Sequence, residues 1–178
     1  MEGARRLASV PVQPLAFDPI DAARRQWDEH GWEDASLGMA VVTSVMRAHQ
    51  IYLARVDEVL RPFGLTFARF ELLALVSFSR SGSLPMSKAG ARLQVHPTTI
   101  TNSVDRLEAQ RMVRRRPHDT DRRMTLVEIL PAGRALLAEA TAALNELVFS
   151  DLGIDDGDMD AVVTLLRKVR VVAGDFEA

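Results

Sequence analysis

Residues 87–130 restrict the fold more than any other part of the chain. "SKAGARL" has the length of a two-turn helix and "QVH" is a tight turn. Pro97 then opens a second helix, "PTTITNSVDRLEAQ", at the first helical position, where a missing N–H leaves nothing unsatisfied. The pattern changes after it. "MVRRRP" and "RMTLVEIL" are rich in Val, Ile, Thr and Met, and "HDTDR" joins them as a hairpin turn. Helix, tight turn, helix and two-stranded wing, in that order, describe a winged helix-turn-helix. In that arrangement the second helix enters a major groove.

Helices flank this unit. "DPIDAARRQWDEHG" starts with Asp18 as cap and Pro19 at the first helical position, and it closes at Gly31. From Ser36 to about Arg61, Leu37, Val41, Val45, Ala48, Tyr52, Val56 and Val59 recur at spacings of three and four; Pro62 and Gly64 end the run. A largely apolar helix follows over about residues 66–79, and "SGSLP" breaks the chain. Pro131 opens a long helix to about Leu152. Asp155 caps a last one, with Met159, Val162, Leu166 and Val169 as its stripe. Residues 1–17 carry two prolines without periodicity and are expected to form a flexible arm. Residues 18–178 are then one domain, mainly α with a small β-wing. Within it, 62–130 is expected to be the DNA-binding lobe, and 18–61 with 131–178 are expected to be dimerisation helices. The terminal stripes exceed what one small winged-helix core can cover, so an intertwined helical homodimer is expected.

Net charge is only −2 over 178 residues, but it is unevenly spread. Residues 111–123 hold six arginines against two aspartates; residues 131–178 hold four Lys/Arg against nine acids. The middle of the chain is a localised basic footprint suited to an acidic partner. With no cysteine there is no disulfide, thiolate metal site or thiol redox chemistry. No membrane span or secretory leader is expected, and the composition fits a cytoplasmic protein. The four histidines show no metal-ligand spacing, and "DDGDMD" lacks the terminal glutamate of a calcium loop. Phosphate loops, dinucleotide fingerprints and nucleophile elbows are missing too, so neither an enzyme nor a cofactor is expected.

In the second helix Ile100, Val104 and Leu107 share one face. Thr98, Asn102, Asp105 and Arg106 lie opposite, with Thr99 and Thr101 on the flanks. Asparagine can read adenine bidentately, and a threonine methyl can pack on thymine. Ser87 and Lys88, at the start of the preceding helix, suit a phosphate. On the hairpin, Asp121 can hold one arginine as an ion pair and leave the other for the minor groove; Arg122 is assigned to the groove and Arg123 to the pair, and the sequence is equally compatible with the reverse. A rival reading keeps the same fold but makes it a protein-interaction module whose basic wing meets an acidic partner.

"VDRLEAQRMVRRRPHDTDRRMTLVEILPAGR" resembles the multiple antibiotic resistance regulator (MarR) family. The matching residues are Asp105, Arg106, Leu107, Glu108, Val113, Arg115, Asp119, Asp121, Arg122, Arg123, Leu130 and Gly133; "LRPFGLTFARFELLALV" is similar to a second segment of that family. The resemblance implies a winged-helix homodimer that binds a pseudo-palindromic operator on double-stranded DNA. It also implies a repressor released by a small aromatic or anionic ligand. Arg111 stands where the family usually has Gly, and Leu130 where it usually has Thr. The extra first helix with Trp27 resembles the urate-responsive branch of the family, which implies a ligand site including Trp27 and Glu71 (aspartate in that branch). Ser103 stands where that branch has an arginine, so one cation of its site is missing. Trp27 equally suits packing of the extra helix onto the core. His49, on the long second helix, is a further candidate for a ligand crevice.

Overall fold

A computed structural model describes residues 14–118, 120–121 and 123–177. Helix α1 (Pro19–Glu29) is capped as the Asp-Pro start predicts: Asp18 Oδ1 accepts from the Ile20 N–H at 2.8 Å. Helix α2 (Glu33–Leu60) begins ahead of Ser36. A 3-10 turn (Arg61–Phe63) and Gly64, at φ +65°, reverse the chain into α3 (Phe67–Ser77). The Phe67 N–H donates to Asp57 Oδ1 at 2.9 Å, so α2 supplies the cap that the Thr66 side chain does not.

"SGSLP" is more than a break. Ser83–Pro85 form strand β1, directly before helix α4 (Met86–Leu93). Helix α5 (Pro97–Ala109) follows, then β2 (Val113–Pro117) and β3 (Thr125–Ile129). The sheet is antiparallel in the order β1-β3-β2, with Leu84 and Arg115 both opposite Val127. A three-residue strand ending in proline lacks a ladder donor and is tolerated at an edge, which is where β1 lies.

Helix α6 (Pro131–Leu144) does not continue as α-helix to Leu152, because Asn145–Phe149 winds as a π-turn. Carbonyls at a helix end have no intrahelical partner. Here α2 satisfies them. The Arg55 guanidinium donates to the Leu147 and Asp151 carbonyls at 2.6 and 2.7 Å, and the Tyr52 hydroxyl donates to the Leu152 carbonyl at 3.2 Å. At its start α6 presses on the sheet. A Cβ on Gly133 would overlap the Met112 carbonyl oxygen, which already accepts from the Leu130 N–H at 2.9 Å. Helix α7 (Asp156–Val172) is capped by Asp155, whose Oδ1 accepts from the Asp158 N–H at 2.8 Å.

The core gathers Val56 and Leu60 from the end of α2, Leu72 and Leu73 from α3, Val104 and Leu107 from α5, Val127 from β3 and Leu144 from α6. Fully burying each such side chain stabilises the fold by roughly 1.5–3 kcal/mol. Neither α1 nor α7 contributes a buried residue. In the first half of α2, Leu37, Val41, Val42 and Val45 stand 44–63% exposed; on α7, Val163, Leu165 and Val169 stand 59–66% exposed. Two helices therefore present apolar faces that this chain does not cover. Among the described residues no helix is long and apolar enough to cross a membrane, and no cluster of His, Asp and Glu could hold a metal ion.

Candidate nucleic-acid interface

Helix α5 is amphipathic as its spacing predicts. Ile100, Ser103, Val104 and Leu107 are buried; Thr98, Thr99, Thr101, Asn102, Asp105 and Arg106 are exposed. Ser103 thus faces inward. The Thr101 hydroxyl donates back to the Pro97 carbonyl at 3.1 Å. Asn102, Asp105, Arg106 and Ala109 line a shallow groove on the outer side of α5. Ser87, Gln94 and Thr101 share a second groove between α4 and α5. Ser87 and Lys88 are exposed in the first turn of α4, whose N-terminus has no side-chain cap, so its leading N–H groups stay open to an anion.

The three strand arginines divide as period-2 alternation requires. Arg114 and Arg116 lie on the side of Glu128. Arg114 Nε and Nη2 donate to its two oxygens at 3.0 Å each, and Arg116 Nε lies 3.4 Å away. The Arg114 guanidinium holds the Glu128 carboxyl below the usual carboxylate range. Arg115 turns the other way, onto α5. Its Nη1 donates to Glu108 Oε2 and its Nη2 to Asp105 Oδ1, each at 2.5 Å, and its backbone N–H donates to Glu108 Oε1 at 2.7 Å. Burial works against the Arg115 charge, but the two carboxylates outweigh it and the guanidinium is held more firmly protonated than usual. Arg115 thus neutralises both acids of the recognition helix and locks the helix to the wing. In the sequence Arg115 stood out through the family resemblance, which did not name its partners. The i, i+3 spacing of Asp105 and Glu108 is the signal that could have.

The wing turn is organised by His118, whose Nδ1 accepts from the Thr120 and Asp121 N–H groups at 3.3 Å each. The expected pairing of Asp121 with the Arg123 guanidinium is corrected. Asp121 Oδ1 instead accepts from the Arg123 backbone N–H at 2.9 Å, because a short side chain reaches its own chain two residues on before it reaches a guanidinium. Arg123 is exposed, and among the described residues its guanidinium has no ion-pair partner. Arg122, assigned to the groove, and Asp119 lie outside the described residues.

The two departures from the family pattern acquire physical content. Helix α5 ends in a Schellman turn: the Met112 N–H donates to the Leu107 carbonyl and the Arg111 N–H to that of Glu108, both at 2.9 Å. Arg111 sits at φ +58°, a left-handed position that favours glycine. Leu130 is the N-cap of α6 and makes no capping bond, a task the usual threonine could perform.

The proposed ligand residues are not brought into contact with one another. Trp27 is half-buried at the α1–α2 corner, its ring edge-on to Trp32 at 5.4 Å, and Trp32 stacks on His30 at 5.4 Å. Glu71 is half-buried on α3, where burial pushes its carboxyl above the ordinary value. His49 is exposed on α2.

A sequence profile of the MarR family matches residues 63–124. Among solved structures, the MarR family transcriptional regulator Sco5413 of Streptomyces coelicolor is 47% identical; the similarity covers 79% of this chain and 98% of that one, with a TM-score of 0.73. BpsR of Bordetella bronchiseptica, whose structure concerns regulation of its DNA binding by 6-hydroxynicotinic acid, is 26% identical and covers 72% of this chain and 91% of its own, with a TM-score of 0.66. Among curated proteins, the HTH-type transcriptional regulator YhbI of Bacillus subtilis is 29% identical over 84 residues, 47% of this chain; the chain spans about half the length of that relative, 53%. With 47% identity across nearly all of Sco5413 and the family profile on its helix-turn-helix and wing, the chain belongs to the MarR family of transcriptional regulators.

Proposed function

We propose that this protein is a sequence-specific DNA-binding repressor that binds a pseudo-palindromic operator as a homodimer. One observation carries the reading. The outer face of α5 presents Thr99, Asn102 and Arg106 to solvent while Arg115 neutralises both of its acids. A helix that is to lie in a groove walled by phosphates must have its carboxylates screened and its amide and guanidinium free. In this reading Asn102 and Arg106 read base edges and Thr98, Thr99 and Thr101 pack at the N-terminal turn. Ser87 and Lys88 hold a phosphate, while Arg122 and Arg123 extend the contact through the wing.

The dimer is supported by the large apolar side chains that α2 and α7 leave exposed, among them Leu37, Val41, Val42, Val163, Leu165 and Val169, since an exposed apolar helix face marks an association surface. Residues 18–61 and 131–178 would form that interface, with 62–130 as the DNA-binding lobe. Two recognition helices related by a two-fold axis require two half-sites one helical turn apart. The DNA binding of BpsR responds to an aromatic carboxylate. For this chain we infer an effector of the same broad class, with Trp27, Glu71 and His49 as the residues to test. Selecting bound sequences from a random duplex pool tests the reading. An enriched inverted repeat supports it, and a pool that stays unenriched at low salt refutes it.

A further inference from the structure

We propose that His96 is a positioning residue whose protonation loosens the first turn of α5 and lowers discrimination between operator and random DNA; this rests on the DNA-binding reading above. The N-cap of α5 is an imidazole. His96 Nδ1 lies 3.3 Å from the Thr98 nitrogen, whose N–H it accepts, and 3.1 Å from the Thr98 hydroxyl. The usual caps, Ser, Thr, Asn and Asp, offer an oxygen that does not change charge near neutral pH. An imidazole accepts at Nδ1 only while it is neutral with its proton on Nε2. Doubly protonated, it is a donor at both nitrogens. The Thr98 N–H then loses its acceptor, and a cation stands at the positive end of the helix. Histidine is the side chain whose ordinary charge change falls between pH 5 and 8.

The charged groups on the elements packed around this helix are Lys88 and Arg92 on α4, Asp105, Arg106 and Glu108 on α5, Arg69 and Glu71 on α3, and Arg114, Arg115 and Arg116 on β2. Among the described residues none pairs with the imidazole, and Asp105 and Glu108 are engaged by Arg115. Acidification therefore has two separable effects. A charged His96 attracts any phosphate backbone, which is independent of sequence. Loss of the cap disturbs the turn that carries Thr98 and Thr99 and leads into Asn102, which matters only for reading bases. The ratio of specific to random affinity falls. A lost cap corresponds to about fivefold in an equilibrium, hence about 25-fold over the two half-sites of a dimer.

The test compares wild type with His96→Asn, whose amide oxygen caps without titrating, from pH 8 to pH 5.5. The selected palindrome and a random duplex are measured side by side. His118 is present in both proteins, so whatever it contributes cancels in the comparison. The wild-type ratio is expected to fall by about 25-fold and the variant's to stay within a few-fold. The same fall in both proteins overturns the proposal. In the free protein the Thr98 amide resonance is expected to titrate together with the His96 ring and to be insensitive to pH in His96→Asn; a Thr98 amide that ignores the ring also overturns the proposal. Absence of duplex binding at every pH is a different result. It removes the DNA-binding reading and the discrimination built on it, while the capping itself is still decided by the Thr98 amide.

Discussion

Arg111→Gly should stabilise this protein, although it deletes a side chain and adds none. Arg111 is held at φ +58° by the two bonds of the Schellman turn, Met112 N–H to Leu107 and Arg111 N–H to Glu108. Met112 packs against the core beyond the turn, so the backbone cannot relax out of that conformation. A non-glycine residue in the left-handed region costs roughly 1–2 kcal/mol. Glycine loses roughly 0.5–1 kcal/mol more backbone entropy on folding, which offsets part of the relief. The net gain is about 0.5–1 kcal/mol, or about 1–4 °C in Tm for a chain of this length. Arg111→Ala separates backbone strain from charge: it removes the same guanidinium but keeps a Cβ, so it should leave Tm nearly unchanged. Thermal unfolding of all three proteins at one fixed protomer concentration decides the matter, since the Tm of a dimer depends on concentration. If glycine and alanine shift Tm equally, the strain at Arg111 is not what distinguishes them and the reasoning fails.

Gly133→Ala should cost about 3 kcal/mol, read from the urea midpoint, because the added methyl meets a backbone oxygen that is itself fixed by the Leu130 N–H; a loss under about 1 kcal/mol would mean that α6 can slide off the sheet. Arg115→Ala should cost about 1 kcal/mol in stability, since its two ion pairs are partly exposed. It should cost more in operator affinity, about tenfold, because Asp105 and Glu108 then face the phosphates unscreened; equal losses in folding and binding would remove Arg115 from the interface argument. Burial raises the folded-state value of Glu71, so its neutral form favours folding: that contribution is complete below the ordinary carboxylate range and is lost as pH rises through the raised folded value. Glu71→Gln, neutral throughout, should therefore gain stability relative to wild type between pH 4 and pH 7, and parallel stability curves for the two proteins would contradict the assignment.

What the sequence made legible was whatever local chemistry decides. Asp18-Pro19, Pro97, Pro131 and Asp155 mark helix starts by their own backbone and capping properties, and each helix begins where its signal stands. Arg114, Arg115 and Arg116 alternate in direction along β2 because side-chain direction in a strand has a fixed period, which follows from the strand assignment itself. What depended on distant partners was not legible. Strand β1 exists because Leu84 meets Val127 across the sheet, and nothing in "SLP" announces that pairing. The π-turn in 145–149 is tied down by Arg55 and Tyr52 from another helix. Arg111 was legible only as a departure from a family pattern; its cost lies in a dihedral angle that the residue type alone does not reveal. Trp27 and Glu71 came from the resemblance and His49 from its place on a long helix, and among the described residues no contact draws the three together.

The most direct test of the account is the salt dependence of binding between the purified protein and its selected inverted repeat, with the stoichiometry determined in the same titration. If Lys88, Arg122 and Arg123 of each protomer neutralise phosphates, about six counterions are released per dimer, and log Kd should rise against log salt with a slope of about 5. The account predicts that slope, two chains per duplex, and a random duplex bound at least about a thousandfold more weakly at physiological salt. A slope near zero, one chain per duplex, or equal affinity for the two duplexes would contradict it.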